Sequence, residues 1–561
     1  MKLVNKKITI MNRKTIRILM LLLVAMSLGI GEVKGTTVKN VKYMDWDDTQ
    51  KKLVEKTTPD DVNVTVLTGG KCVDLGVVGT EWNMTDVWYV CNTPATESNP
   101  NGLYFNGDTR TYAINLAYYC NVHLILADGC TMTVKGFGGI GGTYSNLFIY
   151  GQGGKDADGN SDEGKLNVEG MNINYSAIGY LSGLTINGGQ VTATSESSTG
   201  TIYSGGVTIN GGQVTANASM SNAIYAYQGN IAINGGQVTA TTSTGNAIRA
   251  TQGNIAINGG QVTATSSEPD GIYARNKLTL GWTNPTDYIF CSSYNEASME
   301  TVSGKKFAVY NDNLFMYVIG SASDKTSFSN ISSLGNRIYP FEGELVPVGS
   351  VKYYAYNLSS GSDSYKPLNP GVSVYLVTGI AYNQSTKQYE AVLSEAQPGV
   401  VSNVPVIFGA DKLPNSIALK KEDATVSLSA TPSKNFIACD GTKKVSELLP
   451  SGVKFADVYF FGLSGNSFKR VLLGSDDVHP AGTCFLFIPK DDFNNPPSSA
   501  PAGARGIGIE TDGTTSLIGN GQLTTDHAAS AQWYSLDGRR LDKAPKTKGV
   551  YIRNGKKLVI K

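Results

Sequence analysis

The eight-residue sequence INGGQVTA occurs four times without change, and this repeat restricts the possible folds more than any other feature of the chain. The copies begin at Ile186, Ile209, Ile233 and Ile257, so the period is 23 residues once and 24 residues twice. A short apolar segment such as Leu-Thr-Ile ends on the first residue of each copy, and a segment such as Ala-Ile-Tyr-Ala follows it. Three short strands per repeat cannot bury their apolar faces alone, so successive repeats must stack on one another.

The length of the repeat selects the architecture. Three strands and three turns fill one coil of a parallel β-helix, whereas a propeller blade needs about 40 residues and a leucine-rich repeat needs a Leu-x-x-Leu-x-Leu frame that is missing here. We therefore predict an all-β chain: a right-handed parallel β-helix of about seven coils, followed by antiparallel β modules and a short C-terminal β tail. Less regular opening strands are predicted at residues 122–126, 146–149 and 165–168.

Alternation along the strands assigns the two faces. In one coil Ile186, Val191 and Ile202 are predicted to point inward, and the equivalent residues of the next coil are Ile209, Val214 and Ile224. The asparagine of each motif should form a column of hydrogen-bonded side-chain amides at one turn. Its members are Asn187, Asn210, Asn234 and Asn258. The Gly-Gly pair that follows permits positive φ at this turn.

Outward positions of the repeat give the candidate binding residues. One column contains Tyr203, Tyr225, Arg249 and Tyr273, and a second contains Gln213 and Gln237 between Gln190 and Gln261. Aromatic rings with polar neighbours on a flat sheet can stack on sugar rings, which favours a polysaccharide ligand. Tyrosines of successive coils would lie about 4.8 Å apart, so two of them would form one platform that a glycan crosses. The alternative is that the columns only stabilise the stack.

The regular repeats lack the groups that enzymes acting on polysaccharides use. Residues 184–265 contain one carboxylate, Glu196, and one cation, Arg249. A glycosidase needs two carboxylates about 5–9 Å apart, and a lyase needs a base with a cation or metal. No catalytic residue is assigned, and a non-enzymatic binding or adhesion protein is favoured. A lyase or hydrolase, with its site in residues 111–183 or in the C-terminal modules, and a purely structural surface protein are the alternatives.

One acidic loop suggests a metal. Its oxygen-bearing residues alternate in the pattern of the first half of a calcium loop. They are Asp156, Asp158, Asn160 and Asp162. The loop departs from the EF-hand frame, because Ser161 replaces the required glycine and Asn167 replaces the final glutamate. The sequence therefore predicts no cofactor unless this loop binds calcium. A solvated loop is the alternative.

The beginning of the chain has the features of an export signal. Basic residues precede an apolar run at residues 18–30, and Gly31 and Gly35 follow it. We predict a signal peptide in residues 1–35, with Met11 as a second possible start and a membrane anchor as the alternative. No later segment is apolar enough to span a membrane. The seven dispersed cysteines include no Cys-x-x-Cys pair; Cys72 and Cys91 form a possible bridge.

Composition excludes two classes of protein. Hydrophobic residues make up 41% and charged residues 17% of the 561 residues, which is the balance of an ordered chain. The formal net charge of +1 argues against nucleic acid as a partner, because such proteins need a basic surface for phosphates.

The repeats resemble the glycine-rich β-helix repeats of Bacteroidetes surface proteins of the carbohydrate-binding-domain type. The segments Trp88–Cys91, Val122-His-Leu-Ile-Leu and Leu147-Phe-Ile-Tyr resemble the entry to that helix, and Leu278-Thr-Leu-Gly-Trp resembles its exit. The C-terminal segment, from Trp533-Tyr-Ser-Leu-Asp-Gly to Leu558-Val-Ile-Lys, is similar to type IX secretion sorting signals. The resemblance implies a secreted or outer-membrane cell-surface protein that contacts the secretion machinery through its tail.

These observations predict an order of segments along the chain. A signal peptide (1–35) precedes an N-terminal cap (36–110), the β-helix (111–283) and its exit region (284–345). The remaining segments are a β module (346–440), an antiparallel β module (441–515), a linker (516–532) and the sorting-like tail (533–561).

Overall fold

The computed structural model of the protein describes residues 35–154, 162–267, 270–282, 284–292, 294–296, 299–302, 304–311, 313–320, 336–358, 363–496 and 506–515, with short strands between 517 and 560. They form two compact units, the first ending at Phe341 and the second beginning at Glu342. Regular structure in both units is almost entirely β, which confirms the predicted all-β class. Among the described residues, no helix has the length and apolar character needed to cross a membrane.

The first unit is built around one sheet of 25 strands. Among the described strands of this unit, the hairpin of Lys42–Asp47 and Lys52–Thr57 pairs separately from it. The strands of the large sheet are Thr37–Val38, Val64–Val66, Val73–Leu75, Thr85–Cys91, Leu103–Leu116, Cys120–Leu126, Thr131–Gly141, Asn146–Tyr150, Lys165–Gly170, Ile178–Ser195, Ile202–Ala218, Ile224–Ala226, Ile231–Ile233, Gln237–Thr242, Ile248–Ala250, Ile255–Ile257, Gln261–Ser266, Ile272–Ala274, Leu278–Leu280, Tyr288–Cys291, Tyr294–Glu296, Met299–Thr301, Phe307–Asn311, Leu314–Ile319 and Asn336–Pro340.

The repeats pair in parallel, and each of their three strands pairs with the same strand of the next repeat. Ladder 1 joins residues 183–186, 206–209, 231–233, 255–257 and 278–280. Ladder 2 joins the Gln-Val-Thr-Ala strands at 190–195, 213–218, 237–242 and 261–266. Ladder 3 joins 178–179, 202–204, 224–226, 248–250 and 272–274. Hydrogen-bonded neighbours are therefore separated by one repeat along the sequence.

The apolar residues of all three ladders meet in one continuous core. Ile186, Val191 and Ile202 are at most 1% exposed, and Ile209, Val214 and Ile224 are completely buried. The predicted assignment of inward positions is confirmed by these values. Because every coil presents aliphatic side chains at the same places, each layer of the core packs on a layer of similar shape.

The asparagine column forms as predicted. Asn210 donates a side-chain hydrogen bond to Asn187, Asn234 donates to Asn210, and Asn258 donates to Asn234, with N···O distances of 2.7, 2.7 and 2.9 Å. The second glycine of each motif has a positive φ, for example +78° at Gly212. A Cβ at that position would lie 2.4 Å from the carbonyl oxygen of the preceding coil, so only glycine permits this close turn.

The parallel pairing begins earlier than expected. Residues 64–66 and 88–90 already pair in parallel, and this ladder continues through Cys120–Leu126 and Asn146–Tyr150 into ladder 1. The segment predicted as an N-terminal cap thus contributes strands to the parallel ladders, and ladder 1 with its continuation contains more strands than the seven expected from seven repeats. The expectation for residues 165–168 also needs correction, because Lys165–Gly170 pairs in ladder 2 and is not a further opening strand like 122–126.

An antiparallel strand closes one ladder at each end. The series that leads into ladder 1 begins at residues 64–65, with which Thr37–Val38 pairs antiparallel. Ladder 2 ends at Tyr288–Cys291, with which Asn336–Pro340 pairs antiparallel. At these two edges the parallel template is interrupted, which hinders the addition of another chain.

The N-terminal hairpin lies against the asparagine column. Asn187, the first member of the column, donates a 2.7 Å hydrogen bond to the carboxylate of Asp45. Tyr43 packs edge-on against Tyr150, and the backbone N–H of Met44 donates to the carbonyl of Gly151. The hairpin therefore supplies a hydrogen-bond acceptor for the side-chain NH2 group of Asn187, which has no earlier asparagine of the column to donate to.

No disulfide bond joins the seven cysteines, all of which are among the described residues. Cys91 and Cys130 are both buried in the core of the first unit, and a hydrogen bond between their thiols raises the pKa of Cys130. The thiol neighbour of Cys91 is therefore Cys130, whereas Cys72 was the partner considered from the sequence.

The second unit consists of smaller, mainly antiparallel sheets. A seven-stranded sheet contains Val377–Asn383 and Gln388–Leu393 together with Val458–Ser464. The boundary predicted at residues 440/441 therefore runs through one sheet. The strands of the second unit up to residue 515 are Gly343–Pro347, Tyr353–Tyr356, Ser364–Pro367, Ser373–Tyr375, Val377–Asn383, Gln388–Leu393, Val400–Val401, Val406–Gly409, Ser416–Glu422, Phe436–Ala438, Val458–Ser464, Ser467–Val471, Cys484–Pro489 and Gly506–Thr515.

Short helices and the tail complete the second unit. The helices are Val445–Glu447, Phe455–Asp457 and Lys490–Asn494. The tail, predicted as a short β segment, forms a four-stranded antiparallel sheet in which Gly549–Arg553 pairs with Lys556–Ile560. The other strands of this segment are Leu517–Ile518, Gln522–Leu523, Trp533–Ser535 and Arg540–Leu541.

Candidate functional site

The predicted tyrosine column lies along ladder 3. The register pairs Tyr203 with Tyr225, Tyr225 with Arg249, and Arg249 with Tyr273. All four side chains are half-buried, while the isoleucines directly before them are buried in the core. The rings of Tyr203 and Tyr225 lie 5.2 Å apart at an angle of 68°. The column is thus a row of partly solvated side chains, one from each successive strand of a parallel ladder.

Arg249 interrupts the tyrosines with a positive charge. Its Cζ atom lies 5.6 Å from the ring centroid of Tyr225 and 5.2 Å from that of Tyr273, which are cation–π distances. Its Nε atom is buried and has no hydrogen-bond partner. Among the ion pairs formed by the described residues none includes Arg249. The guanidinium group is therefore held by two rings and lacks an acidic partner in that part of the chain.

Two further tyrosines extend the column sideways. The ring of Tyr227 stacks on that of Tyr203 at 4.7 Å and 14°, and Tyr180 lies 5.1 Å from Tyr203 on the other side. Sequence analysis missed both residues. Tyr227 lies two positions after Tyr225, in the turn that follows the strand, where alternation no longer predicts direction.

Tyr180 owes its position to a strand irregularity. The register between ladder 3 strands shifts between Gly179 and Leu181, and Tyr180 is the extra residue, with a φ of +60°. A bulge of this kind re-aims a side chain out of the regular alternation. Aligning Ile178 with Ile202 would have revealed an irregular earlier copy of the third strand.

Tyr112 forms the base of the same surface. Its ring lies over Gly138 and Gly141, where an added Cβ would come within 2.4 and 2.5 Å of ring atoms. Tyr112 lies 5.9 Å from Tyr175 and 6.4 Å from Tyr180. Its hydroxyl is buried without a hydrogen-bond partner, and burial raises its pKa. We use the name tyrosine stripe for Tyr112, Tyr175, Tyr180, Tyr203, Tyr225, Tyr227, Arg249 and Tyr273.

The glutamine column lies elsewhere. Gln213 donates a 3.0 Å side-chain hydrogen bond to Gln237, and both are exposed. They belong to ladder 2, whereas the tyrosine stripe follows ladder 3 and the turn after it. No hydrogen bond joins the two groups among the described residues. The structure therefore does not unite the six predicted ligand-binding residues in one site.

Of the predicted calcium ligands, only Asp162 is among the described residues; Asp156, Asp158 and Asn160 lie outside them. The backbone N–H of Asp162 donates to the Gly154 carbonyl. The neighbouring Asp128 carboxylate accepts a 3.1 Å hydrogen bond from the Gly154 N–H, and its pKa is raised first by burial and then by Asp162. Within the described ranges, no three His, Cys, Asp or Glu side chains are grouped as metal ligands.

A second aromatic column lies on the strands that lead into ladder 1. Trp88, His123 and Phe148 stack face to face, with centroids 4.1 and 4.8 Å apart. The Nε2 atom of His123 lies 3.2 Å from the Asp86 carboxylate, and its Nδ1 atom lies 2.9 Å from the Tyr150 hydroxyl. Burial lowers the pKa of His123, and the Asp86 contact only partly opposes this effect. Tyr43 of the N-terminal hairpin packs on Trp88, so this column is largely covered.

The second unit contains a cavity of about 440 Å³ lined by residues 344–349, 351, 353–356, 462–465 and 481–485. The Tyr356 hydroxyl donates a 2.9 Å hydrogen bond to the Glu344 carboxylate beside it. Burial is the main cause of the raised pKa of Tyr356.

Comparison with known proteins points to the first unit. Residues 156–315 match a family model described as "Carbohydrate-binding domain-containing protein". No curated protein and no solved structure matches the chain. The matched segment contains every member of the tyrosine stripe except Tyr112. The match supports a protein of the carbohydrate-binding type.

Proposed function

We propose that this protein binds polysaccharide on the tyrosine stripe and does so without catalysis. The observation that carries the proposal is the continuity of rings from the exposed Tyr180 through the half-buried Tyr203 and Tyr227. These rings lie next to the Arg249 guanidinium group, which has no acidic partner among the described residues. The family match, which includes these residues, supports the same ligand class.

The chemistry of the surface suits a sugar chain. Pyranose rings present apolar C–H faces, and covering them with aromatic rings removes apolar area from water at about 25 cal/mol per Å². Arg249 supplies hydrogen-bond donors for hydroxyls or for the carboxylate of an acidic sugar. Because Tyr203 and Tyr225 are only 5.2 Å apart, they form one platform, and the glycan should cross the ladder rather than run along it.

The proposed scaffold is a right-handed parallel β-helix. The three parallel ladders, each of which joins equivalent strands of successive repeats, support a parallel β-helix. A stack whose core layers repeat holds the stripe at fixed spacing, so little conformational entropy is lost when a ligand binds.

We also propose that the protein is exported to the cell surface or secreted. The basic and apolar segments before residue 36 and the sorting-like tail support this localisation, with the secretion machinery as a partner. Calcium at residues 156–162 is a further proposal, supported by the alternating oxygen ligands.

The test compares binding with turnover. A glycan array on the purified protein, accompanied by a reducing-end assay, should give binding without product. The double variant Tyr203→Ala, Tyr225→Ala should remain folded and lose affinity about tenfold or more, since two stacking surfaces are removed.

Two control variants test whether the loss of affinity is specific to the tyrosine stripe. Gln213→Ala and Tyr104→Ala alter ladder 2 and should bind like the parent. Equal binding by the double variant would show that the column is only structural. Product that persists after repurification would favour a lyase or hydrolase, and neither binding nor product would favour a purely structural surface protein.

A further inference from the structure

Exposed aromatic side chains gather at the turn between ladder 3 and ladder 1. We call this region the turn edge and define it by residues 76–84, 117–119, 143–145 and 227–230. Trp82 is 91% exposed, Tyr118 is 53% exposed and Tyr144 is 56% exposed. Exposed apolar side chains that gather in one patch, unlike single scattered ones, mark interaction or ligand-binding sites.

The backbone holds Trp82 in place. Thr80 and Asn83 exchange two backbone hydrogen bonds of 3.0 Å, which closes a tight turn with Trp82 inside it. The N–H of Gly79 donates to the Tyr118 carbonyl at 3.0 Å, which fastens this turn to the next coil. The indole is therefore presented on an ordered turn.

The rings of the next coils continue from this point. Tyr119 and Tyr144 stack at 5.3 Å and 9°. Tyr227 lies further along the same edge, and its hydroxyl donates a 3.5 Å hydrogen bond to the carbonyl of Leu181. The N–H of Ser182 donates to the carbonyl of Ser145, the residue next to Tyr144. Tyr227 in turn stacks on Tyr203 of the tyrosine stripe. Aromatic surface thus runs from Tyr119 over Tyr144 and Tyr227 onto the platform.

We propose that Trp82, Tyr118, Tyr119 and Tyr144 form an extension subsite, which binds further sugar units of the same polysaccharide that crosses the tyrosine stripe. This inference rests on the proposed function and adds the direction and the length of the bound chain. A glycan that crosses the platform of Tyr203 and Tyr225 reaches the turn edge at Tyr227, where it changes direction and follows the edge past Tyr144. Longer chains should therefore bind more tightly than short ones.

The charge of the turn edge favours a sugar chain over a lipid surface as its ligand. Residues 76–84 contain Glu81 and no lysine or arginine. Protein segments that lie on membranes combine aromatic residues with basic ones. The exposed rings of the turn edge, which are continuous with the stripe, therefore favour a sugar chain.

The experiment measures the dependence of affinity on chain length. Disaccharides and octasaccharides of a β-1,4-glucan and of alginate are titrated into the full chain and into Trp82→Ala and Tyr144→Ala. Both variants should lose about fivefold or more in octasaccharide affinity and leave disaccharide affinity unchanged. Met220→Ala is the matched control, because this apolar side chain is 55% exposed at a different turn of the same unit.

Fluorescence gives a second readout. Bound octasaccharide should protect Trp82 from iodide quenching, and this protection should be absent in Trp82→Ala. Octasaccharide binding that is equal in parent and variants would overturn the subsite and leave the proposed function standing. Absence of binding by the parent to every probe would contradict both. Loss of phosphatidylcholine vesicle binding in Trp82→Ala would replace the sugar with a lipid and overturn the proposal.

Discussion

Arg249 lies one repeat above Tyr225, with its Cζ atom 5.6 Å from the tyrosine ring. It occupies the position at which the adjoining copies have tyrosine, so the ladder presents one cation among rings. Residues 184–265 contain a single carboxylate, Glu196, and Arg249 forms no ion pair among the described residues. Its charge is therefore available to a ligand.

This relationship predicts a charge preference. Arg249→Gln should weaken binding of alginate more than binding of a neutral β-1,4-glucan, because only the acidic polymer interacts with the cation. The measurement is calorimetric titration at low and high salt, since screening should reduce the difference. Arg249→Lys keeps the positive charge but lacks the planar guanidinium group, so this variant should retain part of the preference for alginate. Equal loss for both polymers would show that Arg249 acts through stacking alone.

The core assignment predicts a large loss of stability from Ile224→Asp. Ile224 is completely buried between coils, so the carboxylate would have no partner or solvent, at a cost of several kcal/mol. The melting temperature should fall sharply or the chain should fail to fold. Gln213→Asp introduces the same group on an exposed position and should melt like the parent. An unchanged melt for Ile224→Asp would reverse the assigned faces.

Removing one member of the asparagine column should also destabilise the stack. Asn210 donates to Asn187 and accepts from Asn234, and it is only 6% exposed. Asn210→Ala leaves the side-chain oxygen of Asn187 without its donor and the side-chain NH2 of Asn234 without its acceptor, and should cost about 1–3 kcal/mol of unfolding free energy. Asn258→Ala, at the exposed end of the column, should cost clearly less. Denaturant titration compares the two, and similar values would mean that the amide column contributes little.

Stability should fall as the pH is lowered through the range in which His123 titrates. Burial lowers the pKa of His123 in the folded protein, so below about pH 6.5 the unfolded chain binds more protons than the folded chain. The resulting loss of stability begins near pH 6.5 and levels off below the folded pKa. His123→Phe should flatten this part of the curve of unfolding free energy against pH. Fluorescence of Trp88, which stacks on His123, reports the transition. An unchanged slope would assign the dependence to other groups.

Calcium bound by the acidic loop would stabilise the folded chain. A chelator should then lower the melting temperature, and Asp158→Ala should abolish this sensitivity, because it removes one oxygen ligand. Gln213→Ala should behave like the parent in both conditions. Identical melts in chelator and in excess calcium would rule out the site.

The repeat alone was sufficient to predict the buried isoleucines, the asparagine column and the succession Tyr203, Tyr225, Arg249, Tyr273. Each of these depends on one physical fact: when strands stack in parallel at the repeat period, equal positions become hydrogen-bonded neighbours. Composition and alternation add the all-β class. The same reasoning failed for Lys165–Gly170, whose alternating pattern suits ladder 1 and ladder 2 equally well.

The rest of the stripe was decided by tertiary structure. Tyr180 reaches Tyr203 only because one extra residue shifts the register, and Tyr227 reaches it from a turn. Tyr112 lies over glycines from another strand, and the turn with Trp82 is fastened to the next coil by backbone hydrogen bonds. None of these contacts repeats with the period. They depend on ring directions at bulges and turns, where side-chain alternation ends and packing between distant residues sets the geometry.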